Sequence, residues 1–164
     1  MRSIRMLGLA LVATMAVAGC GSDDDDPFGP GNMGNFDGNI TGDVTATLNG
    51  NAAFSVYDDG GTDVFELILT SGSAVEPTHV LTFVREGGRP ANGTYDDFTG
   101  AIFIDSGSDT YVFDGGSVTI TSSGTGGVNG SINITATDGT NDITITGTFQ
   151  AECLEDEEEG LSCG

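Results

Sequence analysis

Three segments near the end of the chain share one alternating pattern: Ser117 to Thr121 (SVTIT), Ser131 to Thr135 (SINIT) and Asp142 to Thr146 (DITIT). A β-strand points successive side chains to opposite faces, so a period of two sorts these residues into two sets. Val118, Ile120, Ile132, Ile134, Ile143, Ile145 and, further on, Phe149 share one face. The Thr and Asn residues take the other, toward water. A slip of one residue would expose the whole apolar set, so the pairing register is strongly specified. Gly126-Gly127 and Asp138-Gly139 stand where the turns between these strands are needed. The three starts are unequally spaced, which predicts consecutive hairpins rather than a repeat array. Gly147, inside the last strand, is expected to mark a bulge or bend.

The middle of the chain reads the same way with less regularity. Val44, Ala46 and Leu48 alternate with Thr45 and Thr47, and Asn49-Gly50 after them is a strong hairpin signal. Phe54, Val56 and Tyr57 form the expected return strand, and Asp58 to Gly61 (DDGG) turns the chain again. Val64 to Leu69 (VFELIL) is apolar on both faces except at Glu66, which predicts a central strand covered on two sides. Val80 to Val84 is the next strand, entered at Pro77. Arg85 to Thr94 is a Gly-containing loop with Pro90, and Tyr95 heads a short strand. Ala101 to Ile104 (AIFI) is again two-sided, and Tyr111 to Phe113 is a short strand bounded by Asp and Gly.

No stretch beyond the first twenty residues carries a sustained helical period. The mature chain is of single-domain size. The fold class is therefore all-β: about eight or nine strands in an antiparallel meander. Short connections pair neighbours antiparallel. A meander this long must protect its edges by closing into a barrel or by folding into a two-layer sandwich.

The first residues differ in kind. Arg2 and Arg5 precede an uncharged apolar run, Met6 to Ala18, which ends in Val17-Ala18-Gly19-Cys20. The run is shorter than the roughly 20 residues a membrane span needs. This stretch resembles a bacterial lipoprotein signal peptide. The resemblance covers only the first twenty or so residues. It implies that Cys20 is acylated, that cleavage before it removes residues 1–19, and that Cys20 becomes the first mature residue. The lipid would then hold the protein at the outer membrane, on its periplasmic or surface face. Gly21, not Asp, follows the Cys; in enteric bacteria an Asp there retains lipoproteins at the inner membrane. Residues 20–35 are the tether (CGSDDDDPFGPGNMGN), kept irregular by four repelling Asp, two Pro and several Gly. The β domain spans 36–153, and 154–164 is an acidic C-terminal tail. Gly93 to Tyr95, then GGSVTIT, then ITGTFQA ending at Ala151, are similar to strings in small Bacteroidota lipoproteins of unknown function. That similarity implies a β-barrel or sandwich and no activity.

All 25 acidic residues lie beyond Cys20, where Arg85 and Arg89 are the basic residues. Such a chain repels nucleic-acid phosphates and anionic headgroups, so no nucleic-acid partner is expected and the lipid must supply the membrane attachment. The acidity serves solubility, or else offers a weak surface for divalent cations.

Cys153 and Cys163 bracket the acidic run and, in an exported chain, are expected to form a disulfide. As metal ligands they lack a nearby His. No metal and no cofactor is expected. Glu155 to Glu159 and the Asp-rich turns lack the ligand spacing of a Ca²⁺ loop. His79 is the sole His, and no Gly-x-Ser-x-Gly elbow accompanies it. Arg85 and Arg89, together on one loop, are candidates for an anionic ligand or for pairing with nearby acids. The function these residues support is a non-catalytic envelope lipoprotein that displays a β domain to a protein or glycan. The alternatives are an envelope hydrolase acting on polysaccharide or peptide, and a weak divalent-cation binder. A buried, paired set of acids lining a cleft would favour the hydrolase, and acids confined to turns would favour the binding domain.

Overall fold

A computed structural model describes residues 33–72, 77–105, 109–155 and 160–164. Cys20 and the tether before Met33 lie outside the described residues, as does the acidic run 156–159. Nine strands make one sheet: β1 Gly34–Gly42, β2 Ala46–Asp58, β3 Asp63–Gly72, β4 Pro77–Glu86, β5 Gly93–Tyr95, β6 Thr99–Ile104, β7 Asp109–Gly124, β8 Gly127–Thr137 and β9 Asp142–Cys153. Every full ladder is antiparallel. Eight strands close in the order β1-β2-β3-β4-β6-β7-β8-β9, and β9 returns to β1. The fold is a β-barrel, which settles the choice against the sandwich. Closure runs through the ladder from Asn35↔Gln150 to Gly42↔Ile143, joining the first strand to the last.

The alternating residues of the last three strands point as their period requires. Val118, Ile120, Ile132, Ile134, Ile143, Ile145 and Phe149 are all buried. They meet Phe36 and Ile40 of β1 and the row Ala52, Leu69, Leu81, Ile102 and Tyr111 on the opposite wall. These side chains fill the interior, as in other barrels of about eight strands.

Several expectations need correction. The domain's first strand is β1, which begins two residues before the expected boundary at 36 and which the Gly, Asn and Asp content of the segment conceals. Its signal is the pair Phe36 and Ile40, both inward, with Asp37, Asn39 and Thr41 outward. Asn49-Gly50 makes no hairpin but lies inside β2; the turn falls earlier, at 43–45. Ser71 on β3 holds this point, its Oγ accepting from the Asn49 N–H at 3.1 Å and donating to the Asn49 carbonyl at 3.3 Å. Gly147 marks no bulge: the β8–β9 ladder passes through it without a shift. Its missing side chain leaves room for the Phe36 ring, whose Cε2 would lie 2.7 Å from a Cβ there.

β3 is not covered on two sides. The sheet is a single closed layer, so Glu66 and Ile68 face outward half-buried among the described residues. Val64 is shielded by a bridge to Gly87. Glu66 sits between Ser55 and Val84, and burial pushes its carboxyl above the usual range. A raised folded-state pKa means that the ionised form is penalised in the fold. The penalty is absent below the ordinary Glu value near 4 and grows as pH rises through the raised one. Glu66→Gln should therefore raise the melting temperature at pH 7, and the gain should vanish in scans near pH 4. A gain of equal size at both pH values would show that Glu66 ionisation is not the cause.

Candidate functional site

The site begins with an irregularity in β7. Tyr111 to Phe113 and Ser117 to Thr121, expected as two strands, are one strand of 16 residues. The Asp-Gly-Gly between them is a bulge. Phe113↔Ala136 is followed by Gly115↔Thr135, which leaves Asp114 without an opposite residue. Gly116, at φ +100, turns the strand back into register, and its place against the Asn133 carbonyl would admit no Cβ. On the other edge of β7, β6 pairs as far as Val112 and β5 resumes at Val118. No strand among the described residues pairs with 113–117 on that edge, and the chain 96–98 runs beside the break.

A cleft of about 160 Å³ opens there, lined by Tyr95, Asp96, Phe98, Phe113, Asp114, Gly115, Gly116, Ser117 and Ile134. The aromatic side chains are fixed by the core. Phe98 packs edge-on against Phe65 at 6.1 Å, Phe83 at 6.4 Å and Tyr95 at 6.3 Å between ring centroids. Phe113 lies 4.7 Å from Phe83. The Tyr95 hydroxyl donates to the Ala91 carbonyl at 2.8 Å, which orients its ring. Asp96 and Asp114 are exposed at the rim. Composition alone could not locate this cleft; the signal available in the sequence was the Asp-Gly-Gly interruption of a strand-like run.

Arg85 is held at the back of this region. Its Nε donates to both oxygens of Asp97, at 2.9 and 3.0 Å, and its guanidinium lies 4.7 Å from the centre of the Tyr95 ring. Arg89 is engaged elsewhere, its Nη1 donating to the Cys163 carbonyl at 2.6 Å. Each of the two Arg residues singled out for an anion thus has a partner within the protein, Arg85 an acid and Arg89 a backbone carbonyl.

Cys153 and Cys163 are bonded partners with Cα atoms 5.6 Å apart, within the range a disulfide requires. Glu155 Oε1 lies 2.9 Å from the Cys163 sulfur, and the three side chains could gather round a cation by distance alone. Sulfurs bonded to each other have no thiolate to offer, so the trio is a bridge with an acid beside it. The tail it ties down lies on the edge of β2. The Leu154 N–H donates to the Phe54 carbonyl at 2.8 Å, and Ser162 exchanges backbone hydrogen bonds of 2.8 and 2.9 Å with Val56.

Several acids are turn-builders. Asp138 accepts from the Asn141 and Thr140 N–H groups at 2.7 and 2.8 Å and from the Asn141 side chain at 2.8 Å, bonds that hold its carboxyl below the usual range. Asp58 accepts from the Gly61 N–H at 3.0 Å, and Asp43 from the Asp142 N–H at 2.9 Å. His79 is half-buried on β4 beside Thr78 Oγ1 at 3.0 Å. Burial pushes its pKa down, against an opposing pull from Asp105.

No protein-family model, no curated protein and no solved structure matches this protein.

Proposed function

We propose that this protein is a lipid-anchored envelope protein whose barrel is a non-catalytic binding domain, with the cleft beside β7 as its recognition site. The observation that carries the reading is the break in the β7 edge, where aromatic side chains fixed by the core meet two exposed acids. Bulges that interrupt pairing are common beside functional sites. The barrel interior is filled by side chains, so recognition belongs on the outside. Acids held by backbone N–H groups in turns support a binding domain over a hydrolase. The anchor rests on the run ending in Val17-Ala18-Gly19-Cys20.

Cell fractionation and intact-protein mass spectrometry test both parts. The native chain should fractionate with membranes and carry an acylated N-terminal Cys20. Cys20→Ala should leave the membrane fraction. A variant that stayed membrane-bound with an unchanged N-terminus would defeat the anchor. Polysaccharide or peptide cleavage that the native protein performs, and that Asp96→Asn with Asp114→Asn abolishes, would replace the binding domain with a hydrolase.

A further inference from the structure

The tail beyond β9 fills a gap in the barrel seam. β1 pairs with β2 as far as Gly34↔Ala52, and β2 runs on to Asp58. Past Ala52 this edge of β2 is taken by the end of β9, at Ala53↔Glu152 and Phe54↔Cys153, and then by the tail. The Leu154 N–H bonds the Phe54 carbonyl, and Ser162 bonds Val56 in both directions. The Cys153–Cys163 bridge is the covalent part of that hold, so whatever opens it loosens the cover of β2.

We infer, independently of the binding-domain reading, that Glu155 guards this bridge against anionic thiols and so sets which reductants can free the tail from the edge of β2.

Three observations carry it. The first is access. Neither cysteine is fully buried and Glu155 is exposed, so a small thiol approaches the bridge from solvent while the barrel stays folded. The second is contact. Glu155 Oε1 lies 2.9 Å from the Cys163 sulfur, which places the carboxylate against a reacting atom. The third is the balance of charge around that sulfur. Glu155 opens the acidic run that continues to Glu159, inside the loop that the bridge closes. The opposing charge is Arg89, whose Nη1 is held on the Cys163 carbonyl and not on its sulfur. Coulomb energy falls with distance, so the group in contact with the sulfur dominates.

Opening proceeds by thiol–disulfide exchange. A thiolate attacks one sulfur of the bridge, forms a mixed disulfide with it and expels the other sulfur as a thiolate. A second thiolate then attacks the small-molecule sulfur of the mixed disulfide. It leaves as a small-molecule disulfide, having supplied with the first the two electrons that reduce the bridge. The two protein thiolates take protons from water. In the first step one negative charge is shared by three sulfurs in line. Attack on Cys163 brings the incoming thiolate beside Glu155, and attack on Cys153 leaves the departing Cys163 thiolate there. Charge therefore builds against the carboxylate by either route. A thiol with an anionic substituent adds to the repulsion, and one with a cationic substituent offsets it. Glu155 is exposed, so water reduces the effect to roughly three- to tenfold in rate.

The test follows bridge opening in the full-length protein, in a non-ionic detergent at low ionic strength, by timed alkylation and peptide mapping of Cys153 and Cys163. The reductants are 2-mercaptoethanesulfonate, which is anionic, 2-mercaptoethanol, which is neutral, and cysteamine, which is cationic. Each is read as the rate in Glu155→Gln divided by the rate in the native protein, so the reactivity of the thiol itself cancels. The ratio should be about three to ten for mercaptoethanesulfonate, smaller for mercaptoethanol and near unity for cysteamine. It should fall in about 1 M NaCl. Glu158→Gln takes the same charge from the same loop and should give mercaptoethanesulfonate a ratio below about two. Equal ratios for the two variants would overturn the guard and leave net charge as the cause. Equal acceleration with all three thiols would overturn it in favour of a loosened tail. A ratio near unity for mercaptoethanesulfonate would overturn it as well, since Arg89 would then offset the acid.

Discussion

Phe83→Ala should lower the free energy of unfolding by about 3–5 kcal/mol, the range for removing a buried aromatic side chain. Phe83 has no solvent exposure. Its ring touches Phe98, which stands over the cleft, and Phe113, which precedes the bulge. Part of the loss is the transfer of the ring to water, and part is the cavity that remains. Collapse of the cavity is restricted because Leu67 and Gly100, its cross-strand partners, belong to continuous ladders. A protein of this size is stable by about 5–15 kcal/mol in total, so the variant should sit near the edge of folding. Urea denaturation followed by circular dichroism reads the difference directly. Phe83→Leu should recover much of it. A loss below about 1 kcal/mol would mean that the aromatic cluster is loosely packed, and the preformed walls of the cleft would lose their basis.

Opening the disulfide should have the next largest effect. In the chain-entropy model a loop closed across ten positions contributes about 2–3 kcal/mol. Cys153→Ser with Cys163→Ser should therefore lower the melting temperature by about 10 °C. The structure adds a local expectation. The tail that the bridge holds supplies the partners of Val56 at the edge of β2, through Ser162, and the carbonyl that Arg89 binds. Without the bridge these contacts must hold the tail alone. Amide exchange at Val56 should quicken far more than at Ile145, which is paired on both sides by β1 and β8. Uniform quickening across the barrel would show that the bridge acts on global stability only. No change in either quantity would show that the tail stays docked by its hydrogen bonds.

The sequence by itself determined the fold class and most of the inner face. Thr and Ile alternating over three segments can satisfy water and core at once only as strands, and a slip in register would reverse both faces. The turns at Asp58 to Gly61 and at Asp138-Gly139 were legible for the same local reason: glycine supplies the positive φ they need, at +96 for Gly61 and +90 for Gly139. The pairing of Cys153 with Cys163 was legible from their spacing around the acidic run and from their being the two cysteines beyond Cys20. What the tertiary structure decided is everything that joins distant segments. Closure depends on β1 meeting β9, and β1 has too few β-branched residues to declare itself locally. Asn49-Gly50 has the composition of a hairpin, yet pairing with β1 on one side and β3 on the other holds it straight. The interruption at Asp114 looked like a strand boundary because a bulge and a turn use the same residues. Only the ladder to β8, continuing on both sides of it, makes it a bulge. The partners of Arg85 and Arg89 were equally hidden, since charge count says how many acids are present and not which one each cation meets. The cleft exists because β6 stops and β5 resumes along one edge of β7, a relation between three segments that no local pattern encodes.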